Sequence, residues 1–123
     1  MVIAILENLT LIAERLVELI KETDKSITFH HAASYDKGLL LLNEHRPAVI
    51  LLDLKFAGNN IVDLLIKIKA LNDKAIVIVL FSVHDEQKLA QCKTHGADYI
   101  LDKYHEFEKI PEIISNIIND NRN

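Results

Sequence analysis

Residues 47–55 read Pro-Ala-Val-Ile-Leu-Leu-Asp-Leu-Lys, and no other stretch narrows the possible folds as far. Ala48 to Leu52 is an unbroken apolar run without polar alternation. That pattern fits a strand covered on both faces, as a middle strand of a parallel sheet is. Pro47 stands at its start, where a missing N–H takes nothing from the ladder. The run then stops on Asp53. A buried element does not tolerate a carboxylate unless the acid reaches a cleft or a cation, and open parallel sheets place their cleft at the carboxyl ends of the strands. On this stretch alone, a solvated acid capping the strand is as good a reading as chemistry.

The rest of the chain alternates around that run. Residues 2–6 form another apolar, β-branched strand, followed at once by Glu7 and Asn8. From Leu9 the period changes: Ile12, Leu16, Leu19 and Ile20 share one helical face, and Asn8 or Thr10 offers the cap. Residues 26–32 predict a more polar strand, suited to a sheet edge. Residues 35–45 predict a helix with Leu39, Leu40 and Leu42 available to the core. A turn-forming loop at 55–60 leads into a helix carrying Ile61, Leu64, Leu65 and Ile68 on its apolar face. Residues 75–81 are the most strand-like run and end on Ser82. A polar helix comes next over 85–95, with Gly96 as its left-handed terminator. Residues 99–101 predict a short last strand ending at Asp102-Lys103. Phe107, Ile110, Ile114, Ile117 and Ile118 form the stripe of a closing helix, and 119–123 reads as a polar, frayed tail. Five strands thus alternate with five helices. Such alternation implies parallel pairing through right-handed crossovers, with helices on both faces. We expect one doubly wound α/β domain over residues 1–123, with no internal repeat or linker.

Composition removes several functions. With 18 acidic residues against 14 Lys and Arg, the formal charge is −4, and no basic stripe is available for nucleic acid. Cys92 is the only cysteine, so no intramolecular disulfide can form. The apolar start is cut short by Glu7 and reads as neither signal peptide nor membrane span, so a cytoplasmic protein is expected. The histidines lack cysteine partners and metal-site spacing, which argues against zinc even at His30-His31. Ser82, His84 and Asp85 are neighbours along the chain, which is not the geometry of a catalytic triad. Leu6-Glu7-Asn8-Leu9-Thr10 contains no glycine to cradle a nucleotide.

The residues at the strand ends carry the chemistry. Glu7-Asn8, Asp53, Ser82 and Lys103 fall at or just past the ends of four strands, and parallel strands share one carboxyl edge. Two carboxylates, an amide, a hydroxyl and an ammonium therefore converge on one shallow cleft. Carboxylates with an amide and backbone carbonyls suit a hard cation such as Mg²⁺. Two carboxylates at one point repel each other unless a cation lies between them. A hydroxyl and an ammonium facing the same point suit an oxyanion. A carboxylate can also be a nucleophile towards phosphorus, and phosphoryl transfer asks the protein mainly for positioning and charge neutralisation.

Three segments then show a family likeness: 47–54, 79–85 (Val-Leu-Phe-Ser-Val-His-Asp) and 96–103 (Gly-Ala-Asp-Tyr-Ile-Leu-Asp-Lys). In that order and spacing the chain resembles the receiver domains of two-component response regulators, over essentially its whole length. The resemblance implies the (βα)5 flavodoxin-like fold with strand order 2-1-3-4-5. It implies Asp53 as phosphoacceptor, with Glu7 and Asn8 in the places of the acidic pair that binds Mg²⁺ and Lys55 offering its backbone carbonyl to the metal. Ser82 takes the place of the switch hydroxyl and Lys103 that of the lysine that pairs with the phosphoryl group. Lys55 and His84, each two residues past a site residue, take positions that tune dephosphorylation. The chain departs from the family at Asn8, Ala57, Ile61, Ile100 and Tyr104.

The resemblance implies a signalling module rather than an enzyme. Its phosphoryl donor is expected to be a histidine kinase or a phosphotransfer protein. With no output domain in the chain, output is expected through a partner, or through a homodimer formed by the fourth helix, fifth strand and fifth helix. The alternative is a pseudo-receiver, an interaction module that works without phosphorylation. A flavodoxin-like enzyme or cofactor binder is a third class, for which no flavin or nucleotide site is visible.

Overall fold

Five parallel strands form one sheet in a computed structural model that describes residues 1–122. In chain order the elements are β1 (Val2–Leu6), α1 (Thr10–Ile20), β2 (Thr28–Ala32), α2 (Tyr35–His45), β3 (Val49–Asp53) and α3 (Ile61–Leu71). They continue with β4 (Ile76–Phe81), α4 (Glu86–Thr94), β5 (Tyr99–Asp102) and α5 (Ile110–Arg122). Short 3-10 turns at Gly58–Asn60 and Phe107–Lys109 lead into α3 and α5. The order across the sheet is β2-β1-β3-β4-β5, the arrangement of flavodoxin-like folds.

The unbroken apolar strands have a simple cause, because helices cover both faces. Ala4, Leu6, Ile50, Leu52, Val77 and Val79 pack with Leu41, Leu42, Leu64, Leu65, Ile68 and Leu89 of α2, α3 and α4. On the opposite face Ile3, Ile5, Val49, Leu51, Ile78 and Leu80 pack with Leu16 and Ile20 of α1 and with Ile110 and Ile114 of α5. Every residue of β3 is buried, and each fully covered Ile or Leu contributes about 1.5–3 kcal/mol relative to an exposed one.

The register aligns the carboxyl ends. Leu6 pairs with Leu52, Asp53 with Leu80, and Phe81 with Asp102. The last residues of β1, β3, β4 and β5 therefore lie along one edge.

Local chemistry moves several expected boundaries. β2 begins at Thr28 rather than at residue 26 because the Asp24 carboxylate accepts both the N–H and the hydroxyl of Ser26, at 2.8 and 2.6 Å, and holds a turn there. In α2 it is Leu41, beside Leu42, that enters the core, while Leu40 is 59% exposed. Neither Asn8 nor Thr10 caps α1, whose N-terminus receives no side-chain bond. Asp85 does cap α4, accepting from the N–H of Lys88 at 3.1 Å. α5 continues to Arg122, past the apolar stripe, where a polar tail is expected. The last residue of that expected tail, Asn123, lies outside the described residues.

Candidate functional site

Asp53 is the last residue of β3, its side chain 8% exposed. One carboxylate oxygen, Oδ1, lies 2.7 Å from Nζ of Lys103. The other, Oδ2, accepts the backbone N–H of Lys55 at 3.2 Å. The strand end is held in place by Leu54 N–H on the Leu80 carbonyl, at 2.8 Å, and by a turn in which Phe56 N–H donates to the Asp53 carbonyl at 3.0 Å.

Glu7 follows β1 directly and, with Asp53, is one of the two buried acidic residues among the described ones. Its Oε1 accepts from Lys103 Nζ at 2.5 Å. The lysine thus lies between two buried carboxylates. It arrives there because its backbone N–H extends the β4–β5 ladder to the Phe81 carbonyl at 2.8 Å, which sets the direction of its side chain off the sheet edge. The repulsion expected between Glu7 and Asp53 is met in this structure by the Lys103 ammonium. Burial pulls the pKa of Lys103 down, but hydrogen bonds and charge from Asp53 and Glu7 outweigh it and hold the ammonium above its ordinary value.

The other expected residues sit around this triplet in different ways. The amide of Asn8 donates to the carbonyl of Ala33, beyond β2, at 2.9 Å. Its nitrogen is thereby engaged and its oxygen is the end left to act as a ligand. The Lys55 carbonyl accepts Gly58 N–H at 3.1 Å, which closes the loop after β3 and leaves that oxygen a second lone pair. Ser82, half-buried past β4, lines a groove of about 290 Å³ with Lys103, Leu9, Ile12, Arg15, Tyr104 and Phe107. His84 is exposed and sets its ring edge-on against Phe81, with centroids 5.6 Å apart. Glu7, Asp53 and Lys103 are in direct contact; Asn8, Lys55 and Ser82 border them, and His84 stands outside the triplet.

The donor set suits a hard divalent cation. Two buried carboxylates would supply charge, and the Asn8 amide oxygen and the Lys55 carbonyl neutral oxygens, a mixture that suits Mg²⁺. Among the described residues no group of three or more His, Cys, Asp or Glu side chains could hold a metal ion by themselves. A cation here would therefore depend on the neutral donors.

Two contacts have no warning in the motifs. Nε2 of His31 lies 2.7 Å from the backbone oxygen of Glu7. The available signal is its register: His31 pairs with Ile5, two residues before Glu7 on the adjacent strand. Asp98 accepts Val77 N–H at 2.8 Å and Lys69 Nζ at 3.1 Å, so it braces β4 rather than the cleft.

Among the described residues no helix is long and apolar enough to cross a membrane. The family model described as the response regulator receiver domain matches residues 3–115. The transcriptional regulatory protein MalR of Bacillus subtilis is 33% identical over 85 residues, which cover 68% of this chain. The chain spans between 36% and 43% of the length of the curated relatives it matches. The signal receiver domain of a DNA-binding response regulator from Colwellia psychrerythraea shares the fold with a TM-score of 0.86 at 20% identity, over 96% of this chain and 98% of that one. A response regulator from Burkholderia pseudomallei, solved with a phosphorylated aspartic acid, a calcium ion and citrate, aligns with a TM-score of 0.77 at 22% identity, over 89% of this chain and 63% of that one. With the strand order, the convergent strand ends and the family match over nearly its whole length, the chain belongs to the response regulator receiver domains of two-component signalling.

Proposed function

We propose that this receiver domain is a working phosphoacceptor, with Asp53 taking the phosphoryl group from a phosphohistidine on a histidine kinase or phosphotransfer protein. The observation that carries this reading is the Lys103 ammonium held between Asp53 and Glu7 at the sheet's carboxyl edge. A carboxylate oxygen of Asp53 forms the new bond to phosphorus as the P–N bond breaks, and the departing imidazole nitrogen keeps the electron pair and is protonated. Glu7, Asp53, Asn8 and the Lys55 carbonyl would hold a divalent cation, which would supply neutralisation of the phosphoryl oxygens. The backbone N–H of Lys55, already on Asp53 Oδ2, keeps the nucleophile oriented. Lys103 moves from the carboxylate to a phosphoryl oxygen, and the Ser82 hydroxyl closes on another.

Support for the cation comes from the donor set, and from the Burkholderia neighbour, which was solved with both a phosphorylated aspartic acid and a calcium ion. Lys55 and His84 flank the approach of the hydrolytic water, so their side chains set the lifetime of the acyl phosphate. Output leaves through the face of α4, β5 and α5, as a partner site or as a homodimer. The phosphorylation-independent pseudo-receiver reading is not favoured by this geometry, because a pocket without phosphoryl chemistry has little use for two buried acids around one lysine.

The test is incubation with acetyl phosphate and Mg²⁺, read by intact mass. An adduct of one phosphoryl group is expected, absent from Asp53→Asn and from samples with excess chelator. No adduct on the wild type at millimolar Mg²⁺ rejects the proposal.

A further inference from the structure

The backbone of Glu7 and the amide of Asn8 are fastened to the end of β2. Leu6 and Ala32 form the last residue pair of the β1–β2 ladder. One step further, Glu7 N–H donates to the Ala32 carbonyl at 3.2 Å. The Glu7 carbonyl lies beyond the reach of that ladder, and the His31 ring meets it at 2.7 Å. Next along, the Asn8 amide holds the Ala33 carbonyl at 2.9 Å. Three successive bonds thus tie both residues to the end of β2, an edge strand that contributes nothing else to the cleft.

A backbone carbonyl only accepts, so Nε2 of His31 must carry the proton. Packing does not explain the residue. His31 is exposed, and its ring borders an open recess with Ala13, Glu14, Val17 and Glu18 of α1. What the ring holds is the peptide joining Glu7 to Asn8, the link between two side chains that border the cleft.

We infer that His31 is a positioning residue of the cation site: its Nε2–H sets the Glu7–Asn8 peptide and so presents the Glu7 carboxylate and the Asn8 amide oxygen together to a divalent cation. The inference rests on the cation-assisted reading of the cleft. It belongs with the outer-shell hydrogen bonds that orient metal ligands, whose loss weakens metal affinity. The bond here runs through the backbone of a ligand rather than to its side chain.

Mn²⁺ titration of the full chain, followed by electron paramagnetic resonance, tests it. His31→Leu should bind Mn²⁺ about tenfold more weakly than the wild type, and His31→Gln, which keeps a nitrogen donor at similar reach, should regain most of that loss. Nitrogen-15 shifts of the metal-free wild type should show the neutral His31 ring protonated at Nε2. Wild-type affinity in His31→Leu overturns the inference while leaving the cation reading intact. A His31→Gln affinity as weak as that of His31→Leu, or a ring protonated at Nδ1 alone, also overturns it. No Mn²⁺ uptake by the wild type overturns the cation reading and this inference together.

Discussion

Lys103 is 12% exposed and spends its ammonium on two carboxylates that are themselves nearly covered. Removing one partner of a buried ionic group leaves the others unpaired, which is where large mutational losses arise. Lys103→Met should lower stability in Mg²⁺-free buffer by about 1.5–3 kcal/mol, the range for hydrogen bonds to charged groups. Added Mg²⁺ should recover part of it, since a second cation can then screen Glu7 and Asp53; urea melts with and without the metal measure both. The folded pKa of Lys103 lies above the ordinary 10.5. Its contribution is thus fully present below that value and is lost as pH climbs through the raised one. The stability gap between wild type and Lys103→Met should stay level from about pH 7 to 10 and narrow above that, in denaturant melts. These residues are legible in the sequence because strand ends in a parallel sheet share an edge. That Lys103 already occupies the gap between Glu7 and Asp53 is not legible, since a lysine's reach depends on side-chain torsions that no motif records. His31 escapes notice for a related reason: its role is a bond to a backbone oxygen, and backbone partners carry no residue signature.

The join between α4 and β5 shows how an element boundary can be set by one residue. Gly96 has φ of +118°, a conformation that side chains resist. A methyl group added there would also approach Cε of Lys69 to 2.9 Å. That lysine donates to the Ala75 carbonyl at 2.7 Å and to Asp98, which in turn accepts the first inner N–H of β4, from Val77. Gly96→Ala should therefore cost at least about 1 kcal/mol of stability, read in thermal or urea melts. A milder loss would mean that Lys69 moves aside without releasing Asp98. Gly96 is legible as a helix terminator because glycine is the residue such a position calls for. The missing cap of α1 is not: the N-cap position falls on Leu9, one residue past Asn8, and leucine has no side-chain oxygen to offer. Leu40 and Leu41 exchange places for a comparable reason, since four consecutive leucines at 39–42 leave the helical phase undetermined by hydrophobicity alone.

At the scale of the molecule, the fold is readable from alternation: apolar runs short enough for strands, separated by helix-length segments of another period. The strand order is readable only through the family likeness, because alternation fixes handedness and parallel pairing but not which strand lies beside which. The proposed output face is least readable. Ile100 packs partly buried against the core under α3 and α4, while its neighbour Tyr99 and, past β4, Val83 remain exposed. If phosphorylation pulls Ser82 inward, Ile100 has no aromatic ring to rotate with it. Beryllofluoride with Mg²⁺ should then raise the mass measured by light scattering towards that of a dimer, and Val83→Asp should suppress the rise; an unchanged monomer would assign output to a different partner. The pair between Glu7 and Lys103 spans 96 positions of a chain of 123. Closing so long a loop is a late event in folding, since its entropy is recovered only once the intervening strands are paired. Until then, the acid after β1 and the acid ending β3 lack the lysine that pairs with both. Synthesis therefore delivers both carboxylates before the lysine that answers them, so the Lys103 pairs, once made, report that the sheet has closed.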